Sequence, residues 1–345
     1  MTTALVTGGA GFFGGVLTAR LLEEGFTCVS VDLQPHEWAH RDLRAVQGDI
    51  RDVPLMESLF SAHRFDAVFH CAAMLAHAVE DRDLLWTSNV DGTRAVADLA
   101  ARHRVPKLVF ISSNCLWGAG FGRPVTEEDS PRPVEIYGRS KWEAEKVLAR
   151  FADDVDTTVL RSPTIIDSGR LGLLAILFEF IREGRNVPVV GRGDNRYQFV
   201  YAPDLADACI RSLSHAGSAV YNAGSDGVQS LREVFEHVVR EARTGARVRS
   251  LPKVPTLALM RLASALKLSP LGPYHYRMIA EDFIFDTTRI KRELGWQPTL
   301  TNEEMLYKAY EHYVANLDEI QRRTVASAHR RPAKMRAIRI LKWLS

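Results

Sequence analysis

A tyrosine and a lysine spaced four residues apart are the pair in this sequence best suited to proton transfer. Tyr137 and Lys141 open a segment with helical periodicity, and this spacing places both side chains on one helix face. A phenol with a pKa of about 10 is a poor base at neutral pH. A neighbouring ammonium favours the phenolate, so we expect Lys141 to lower the pKa of Tyr137. The pair predicts a group that moves a proton to or from an alcohol or ketone.

A serine gives this common spacing its specificity. Ser112 and Ser113 end an apolar run that begins at Leu108 and predicts a buried strand. In a doubly wound sheet, the carboxyl ends of the strands line the ligand crevice. We expect Ser113 to hydrogen-bond the reacting oxygen while Tyr137 moves its proton. Ser113, Tyr137 and Lys141 are therefore the predicted catalytic residues.

Three glycines near the N-terminus predict a phosphate-binding turn. Gly8, Gly11 and Gly14 have the spacing G-x-x-G-x-x-G, follow a strand-like run and open a helical stretch. Glycine allows the backbone to approach a pyrophosphate, which the N–H groups of the helix N-terminus attract. Asp32 ends the second strand, where a carboxylate accepts hydrogen bonds from ribose hydroxyls and repels a 2′-phosphate. These residues predict binding of NAD rather than NADP.

Alternating strands and helices must position these groups. Short apolar runs alternate with amphipathic stretches through residue 165, which predicts an α/β fold of Rossmann type with a doubly wound parallel sheet. The predicted buried strands are Ala4–Thr7, Thr27–Val31, Ala45–Gln47, Ala67–His70, Leu108–Ser112 and Thr157–Leu160.

The alternation breaks after Ser162, which predicts a second, smaller lobe. Residues 1–165, with part of 197–223, form the predicted NAD-binding domain. Residues 166–196 and 224–318 form the predicted interleaved C-terminal substrate lobe, in which 184–195 is a glycine-rich connection around the apolar run Val187–Val190. Residues 319–345 form a basic amphipathic C-terminal tail.

These motifs together resemble the extended short-chain dehydrogenase/reductase superfamily and, within it, the NAD-dependent epimerase/dehydratase family. The resemblance runs from Ala4 to about Tyr313 and includes TGGAGFFG, HCAA, NVDGT, ISSN, YGRSK and LGWQP. It implies tightly held NAD, a Ser–Tyr–Lys triad and, commonly, a homodimer. The residues that it places around the cofactor are Gly8, Gly11, Phe12, Phe13, Gly14, Asp32, Asp49, Ile50, Cys71, Ala72, Ala73, Asn89, Ser112, Tyr137, Lys141, Pro163 and Thr164.

The two residues after the catalytic serine narrow the reaction. Family members that dehydrate or decarboxylate nucleotide sugars usually carry acidic residues there, whereas this sequence has Asn114 and Cys115. This departure disfavours both reactions. Epimerisation and simple alcohol/ketone redox chemistry remain, since both need only the triad and NAD.

The first hypothesis is an epimerase for nucleotide sugars of the UDP-hexose type. Such a substrate needs cations for its diphosphate and polar groups for its sugar. The candidates are Asn114, Arg161, Arg192, Arg196, Tyr197 and Arg277. Many sugar-nucleotide enzymes carry an arginine where this chain has Tyr197, and Arg196 is one residue out of register. A shift of one residue along a strand points the side chain to the other face.

The second hypothesis is a dehydrogenase that resembles 3β-hydroxysteroid dehydrogenases and acts on a lipid-like alcohol. Residues 195–201 resemble that branch at least as well as they resemble the epimerases. Val254–Leu268 is predicted to be an unusually apolar helix, which would either cover an apolar substrate pocket or pack in the core or at a dimer interface. A third possibility is an NAD-sensing regulator without activity. The intact Ser–Tyr–Lys set disfavours it, since a regulator does not need Lys141.

Charge and cysteine content limit the other functions. The net charge of +2 gives no reason to expect nucleic-acid binding, and the four cysteines lack metal-ligand spacing. We therefore expect no metal site and reduced thiols in a cytoplasmic protein. Residues 321–345 hold eight Lys or Arg and no Asp or Glu, with apolar residues recurring every three positions. This pattern fits peripheral contact with the inner face of a membrane, a partner-binding tail or a disordered one.

Overall fold

The computed structural model of the chain describes residues 2–75, 81–118, 120–172, 174–265 and 278–322. Their strands are β1 (Thr3–Thr7), β2 (Thr27–Asp32), β3 (Leu43–Gln47), β4 (Ala67–His70), β5 (Lys107–Ser113), β6 (Asp156–Ser162), β7 (Thr164–Ile166), β8 (Asn186–Val190), β9 (Phe199–Tyr201), β10 (Ala219–Asn222) and β11 (Arg247–Leu251). Their helices are α1 (Phe12–Glu23), α2 (Val53–Ala62), α3 (Arg82–Trp86), α4 (Gly92–Arg102), α5 (Ile136–Ala149), α6 (Leu174–Arg182), α7 (Ala202–Arg211), α8 (Leu231–Ala242), α9 (Lys253–Ala265), α10 (Thr288–Leu294), α11 (Asn302–Ala315) and α12 (Leu317–Arg322).

A seven-stranded sheet with the order β10-β6-β5-β4-β1-β2-β3 forms the first lobe. Every neighbouring pair in it is parallel. The direction of winding reverses between β1 and β4, and that switch point opens a crevice at the carboxyl ends of the strands. The predicted Rossmann-type α/β fold is confirmed.

The side chains of β1 show why the sheet needs continuous apolar strands. Val6 lies in one hydrophobic cluster with Leu17 of α1 and Leu205 of α7, on one face of the sheet. Leu5 packs on the opposite face, in the cluster that contains Val96 of α4. Because successive side chains point to opposite faces, a strand covered on both faces must be apolar at every position.

A third hydrophobic cluster lies in the second lobe. Here β7 pairs with β9 and β8 pairs with β11, both in parallel. Helices α6, α8 and α11 cover these strands, and Phe178 packs edge-on against Tyr310 with ring centroids 5.8 Å apart. The division into domains at the stated residue boundaries stays a prediction.

Two expectations about strands are wrong. Ala45 and Gln47 were expected in a buried strand, but β3 is the edge of the sheet and is mostly exposed. Residues 184–195 were expected to be a connection, but β8 lies within them. Its partner β11 is distant in sequence, so the sequence around β8 does not indicate that the two strands pair. Arg277 and the tail from residue 323 lie outside the described residues.

Candidate active site

The glycine-rich turn is built so closely that side chains do not fit. Gly8 has a φ of +73°, and a Cβ there would lie 2.7 Å from the Ala72 nitrogen. A Cβ on Gly14 would lie 2.1 Å from the Gly8 carbonyl oxygen, and one on Gly11 would lie 2.9 Å from the same oxygen. Gly11 is the N-cap of α1 and has no side chain to cap it, so the helix N-terminus is available to a phosphate group.

Asp32 extends from the end of β2 to the glycine-rich turn. Its Oδ2 accepts a hydrogen bond from the Ala10 N–H at 3.1 Å, and its Oδ1 accepts one from the Gln34 N–H at 2.9 Å. A carboxylate held beside a phosphate-binding turn suits the ribose hydroxyls of an adenosine. The turn and Asp32 together fit NAD.

The third strand is followed by a pair of oppositely charged residues. Arg51 binds the Asp49 carboxylate through a bond of 2.6 Å and holds its pKa below the usual range. Ile50 is buried against Gly92 of α4, where a Cβ would lie 2.6 Å from the Ile50 Cδ1. Contact of Asp49 and Ile50 with the cofactor stays a prediction.

Small residues after β4 form the wall beside the turn. The Cys71 N–H donates to the Thr7 carbonyl at 3.1 Å, and the Ala72 N–H donates to the Thr7 hydroxyl at 3.3 Å. These bonds hold the segment that includes Ala73 against the glycine turn. Asn89 then ties this segment to α5, because its amide bonds both the N–H and the carbonyl of Met74 and donates to the Ser140 hydroxyl at 2.9 Å.

The structure brings the predicted catalytic residues together at the end of β5 and the start of α5. The Ser113 hydroxyl lies close enough to the Tyr137 hydroxyl to favour its phenolate and so lower the pKa of Tyr137. The Ser113 Oγ also accepts a bond from the Cys115 N–H at 3.1 Å, which fixes its rotamer. Lys141 is buried, with its Nζ 3.8 Å from the centroid of the Phe110 ring. A serine and a tyrosine so placed can bind one oxygen atom of a ligand.

The electrostatics of this cluster differ from the expectation. Burial raises the pKa of Tyr137, and the Ser113 hydrogen bond and the Arg170 charge only partly oppose it. Burial also lowers the pKa of Lys141 to about 7, against the attraction of Glu145. The expected lowering of the Tyr137 pKa by Lys141 is therefore wrong for the protein alone, since a buried site disfavours both charged forms.

One candidate for the diphosphate has a different role. Arg161 is buried and pairs with the equally buried Glu145 of α5 at 2.8 Å. Glu145 also accepts a hydrogen bond of 2.5 Å from the Ser112 hydroxyl. Arg161 is thus engaged inside the protein, and its assignment as a ligand contact is corrected. The Ser112 hydroxyl points towards Glu145 as well.

The other substrate candidates divide into two groups. Asn114 donates a hydrogen bond of 2.6 Å to the Tyr197 hydroxyl, although the residues are 83 positions apart. Both are buried, whereas Arg192 and Arg196 are exposed. Arg196 lies 3.7 Å from Asp282 at the surface, as its displaced register implies. Asn114 and Tyr197 therefore lie inside the protein next to Ser113, whereas these two arginines lie at the surface, and contact of any of the four with a substrate stays a prediction.

The segment after β6 borders the same cluster. The Ser162 hydroxyl donates to the Ser112 carbonyl at 3.2 Å and thereby fixes the chain just before Pro163. Thr164 opens β7, and its Oγ1 lies 4.0 Å from the Met278 sulfur. Pro163 and Thr164 therefore lie at the junction of the two lobes, and their contact with the cofactor stays a prediction.

Sequence reasoning missed Arg170. Its Cζ lies 5.7 Å from the centroid of the Phe12 ring, at the first residue of α1, and its charge reaches Tyr137. Arg170 follows β7 on a loop in which Gly169 has a φ of +82°. This cation thus joins the second lobe to the glycine turn. No motif marks it, because its position depends on how the lobes pack.

Other chemical features are few in the described part of the chain. It contains no group of three or more His, Cys, Asp or Glu that is arranged to hold a metal ion. None of its helices combines the length and the apolar character needed to span a bilayer. The four cysteines are free thiols, and Cys28, Cys115 and Cys209 are buried.

Comparison with known proteins identifies relatives of the chain. The model of the NAD dependent epimerase/dehydratase family matches residues 4–224. The uncharacterized protein y4nG of Sinorhizobium fredii is 38% identical over 99% of this chain and 86% of its own length. A UDP-glucose 4-epimerase of Mycolicibacterium smegmatis is 29% identical over 90% of this chain and 97% of its own length.

A solved structure shares the whole architecture. The UDP-glucose 4-epimerase of Thermotoga maritima, solved with UDP-glucose, has a TM-score of 0.76 and 25% identity. The match covers 92% of this chain and 100% of that one. The likeness therefore extends over both lobes and includes the second lobe beyond the residues matched by the family model.

Proposed function

The chain belongs to the NAD-dependent epimerase/dehydratase family and is an NAD-dependent enzyme, and on that premise we propose that it epimerises a carbinol carbon of a UDP-hexose. The observation that carries the proposal is the grouping of Ser113 at the end of β5 with Tyr137 and the buried Lys141 at the start of α5. Asn114 follows Ser113 at the position where enzymes that dehydrate nucleotide sugars usually carry an additional acidic residue. The UDP-sugar 4-epimerases among the relatives support this hypothesis over the hydroxysteroid-type dehydrogenase.

Ser113 and Tyr137 would bind the oxygen at which the sugar reacts. Ser113 donates a hydrogen bond to that oxygen and orients it, while Tyr137 exchanges a proton with it as the carbinol becomes a ketone and then a carbinol again. Bound NAD supplies the hydride acceptor for the first half of this cycle and the hydride donor for the second. Because no electrons are gained or lost overall, the enzyme needs no second redox partner.

Positive charge near Tyr137 is needed for this proton exchange. Burial disfavours the phenolate, so a cation that approaches Tyr137 lowers the energy of the state that accepts the proton. Arg170 supplies such a charge from the second lobe. Lys141 supplies another whenever it is protonated, and its pKa of about 7 lets it exchange protons near neutral pH. Lys141 would also hold the nicotinamide ribose.

The sugar would turn within a polar recess on the far side of the cluster. Asn114 and Tyr197 form a hydrogen-bonded pair there and present an amide and a phenol to the sugar hydroxyls. Epimerisation requires the keto sugar to offer both of its faces in turn. A short, uncharged pair of this kind can bond several hydroxyl arrangements, which suits that requirement.

The proposal includes two features of the whole protein. One is a homodimer, which the resemblance to the family implies. The other is peripheral membrane contact through the basic residues 321–345 in a cytoplasmic protein. Light scattering of the purified protein tests the dimer. Flotation with anionic vesicles, with and without residues 323–345, tests the tail, and equal flotation of both forms would remove it from the proposal.

Interconversion of UDP-hexoses is the direct test of function. Purified enzyme is incubated with UDP-glucose, without added reductant or oxidant, and the sugar nucleotides are separated by chromatography. We expect UDP-galactose to appear until equilibrium is reached. The same mixture with Tyr137→Phe is the control. Steady production of NADH from a sterol or another alcohol, with UDP-hexoses unchanged, would instead establish a lipid-alcohol dehydrogenase.

A further inference from the structure

The outer side of helix α9 is apolar where a surface helix is normally polar. Val254, Leu259 and Leu262 are 79%, 66% and 57% exposed, whereas the other exposed large hydrophobic residues of the described chain are 37–47% exposed. The three most exposed therefore lie on one helix. Single exposed hydrophobic residues are ordinary, but a contiguous apolar patch indicates a surface that something covers.

Helical periodicity shows how wide this patch is. At about 100° per residue, five of the positions whose side chains the structure describes fall within an arc of about 140° on α9. They are Val254, Pro255, Ala258, Leu259 and Leu262, and all five are exposed. Thr256, Leu257 and Met260 lie on the other side and are half-buried against the lobe. The orientation of the helix is thus fixed by its inner side, and its outer side carries no polar residue within that arc.

Exposed arginines border this apolar surface. Arg247, Arg249 and Leu251 alternate along β11, so all three point to the same exposed face of the strand that leads into α9. The sequence from 242 to 280 contains seven Lys or Arg and no Asp or Glu. Acidic residues flank this stretch, since Glu241 precedes it and Glu281 and Asp282 follow it, and Glu236 of α8 is paired with Arg232 at 2.9 Å. The surface therefore combines an apolar ridge with a positive border.

This combination decides between the possible occupants. A second copy that used the same face would bring two positive borders together, and like charges oppose such a symmetric contact. The chain's own tail at 321–345 also carries only basic charges, so it would be repelled in the same way. A bilayer that contains anionic lipids complements both features, because it accepts apolar side chains and attracts arginine.

We propose that the outer face of α9 and the arginines of β11 form a docking surface for an anionic membrane. The apolar side chains enter the boundary between head groups and acyl chains, and Arg247 and Arg249 bind lipid phosphates. The docking surface lies on the second lobe and is separate from the catalytic residues. It does not depend on the reaction proposed above.

Two contacts, one made by Lys253 and one made by Met278, connect this surface to the junction of the lobes. The Lys253 Nζ donates a hydrogen bond of 3.0 Å to the Ala280 carbonyl, which fixes the start of α9. Two residues earlier, the Met278 sulfur lies 4.0 Å from the Thr164 Oγ1 at the junction of the lobes. A docked enzyme would therefore hold the substrate lobe, rather than the NAD-binding lobe, against the bilayer.

Vesicle flotation of the full chain tests the proposal. The probes are vesicles of phosphatidylcholine alone and of phosphatidylcholine mixed with phosphatidylglycerol. We expect binding to the mixed vesicles only, weakening as salt is added. The double variant Leu259→Glu, Leu262→Glu should bind about tenfold or more weakly, because two apolar side chains no longer enter the bilayer. Val53→Glu on α2, at a residue 47% exposed, is the matched control and should bind like wild type.

Two further measurements keep the outcome decisive. Thermal unfolding and light scattering of each variant establish that the fold and the oligomeric state are intact. Wild type that fails to bind the mixed vesicles would overturn the proposal. Unchanged binding by the folded double variant would also overturn it, as would a change of the double variant from dimer to monomer, which would identify a second copy as the occupant. Arg247→Ser, Arg249→Ser should reduce the salt-sensitive part of binding.

Discussion

Tyr137 is the residue on which the proposed chemistry depends. Its hydroxyl lies beside Ser113, and the protein around it disfavours the phenolate, so the free enzyme keeps the proton on the phenol. Replacing Tyr137 by Phe removes the phenolic hydroxyl group but retains the aromatic ring. We expect the turnover number to fall by about 10²–10⁴-fold while NAD binding stays nearly unchanged.

Steady-state kinetics and cofactor retention measure these two effects separately. Tyr310→Phe is the matched control, because it removes a hydroxyl from a tyrosine buried in the second lobe. Its turnover should stay near that of wild type. Near-normal turnover of Tyr137→Phe would refute the role of this residue in proton transfer.

The glycine turn predicts a second effect at single residues. Gly14→Ala places a Cβ 2.1 Å from the Gly8 carbonyl oxygen, so the turn must open. We expect NAD affinity to fall at least about tenfold, measured by fluorescence titration. Gly25 has a φ of +80° but no atom within 4 Å of a Cβ, so Gly25→Ala strains the backbone without touching the turn. Equal loss of NAD affinity in both variants would contradict a specific role for Gly14.

Residues with local signals were predictable, and residues placed by tertiary packing were not. Gly8 and Gly14 are marked by spacing alone, and the structure shows that a Cβ does not fit at either. Arg161 carried no sign that Glu145 would pair with it inside the protein. Arg170 was missed because it reaches the glycine turn only after the second lobe packs on the first.

At the scale of elements, a buried ion pair joins α5 to β6. Arg161→Met leaves the Glu145 carboxylate buried with its partner gone, which costs about 3–5 kcal/mol of unfolding free energy. Urea denaturation measures this loss. Adding Glu145→Gln should recover part of it, because the unpaired charge is then gone. Arg94→Ala, at an exposed pair on α4, is the control and should change stability little.

An effect of Arg161→Met on substrate affinity alone, without a loss of stability, would contradict this assignment. If Arg161→Met raised only the KM for the sugar nucleotide and left urea unfolding unchanged, Arg161 would be a ligand contact after all. The structure favours the first result, since the guanidinium also donates to the Glu127 carbonyl at 3.1 Å and packs on the Trp117 ring.

A buried histidine links three elements and makes stability depend on pH. His70 of β4 bonds Thr7 of β1 at 2.6 Å and Thr93 of α4 at 2.8 Å. Burial lowers its pKa to about 3, against 6.5 in the unfolded chain. The unfolded chain therefore binds a proton that the folded chain does not, and stability falls as pH drops from about 6.5 towards about 3.

This difference predicts a measurable slope. Between about pH 7.5 and about pH 5, His70 should account for up to about 2 kcal/mol of lost unfolding free energy. His70→Gln removes the titrating group, so its stability should be lower but less dependent on pH over that range. Urea midpoints at several pH values measure the slope, and an unchanged slope in the variant would contradict the assignment.

Elements followed the same rule as residues. The inner strands of the first lobe were predictable from their apolar runs, because each is covered on both faces of the sheet. β3 has a strand-like sequence, but its position at the sheet edge is set by topology. β8 depends on pairing with β11, and the paired residues Asn186 and Arg247 are 61 positions apart. No short stretch of the sequence therefore indicates this pairing.

The whole molecule places the two lobes around one cleft. The first lobe supplies the proposed NAD site and the proposed catalytic residues, and the second supplies Tyr197 and Arg170. The docking surface proposed on α9 lies on this second lobe as well. At this scale the sequence alone left the reaction open between epimerisation and net oxidation, because both use the same triad. The relatives favour epimerisation. The two reactions differ in the fate of the hydride, which returns to the same sugar in epimerisation and stays on the cofactor in net oxidation.

The most direct test follows the hydrogen on the reacting carbon. UDP-glucose with deuterium on the carbinol carbon that is oxidised is incubated with the enzyme in ordinary water, and the product is examined by mass spectrometry and NMR. We predict an epimerised product that keeps its deuterium, with no net formation of NADH. Loss of the deuterium to solvent, or accumulation of reduced cofactor without an epimer, would contradict the proposed function.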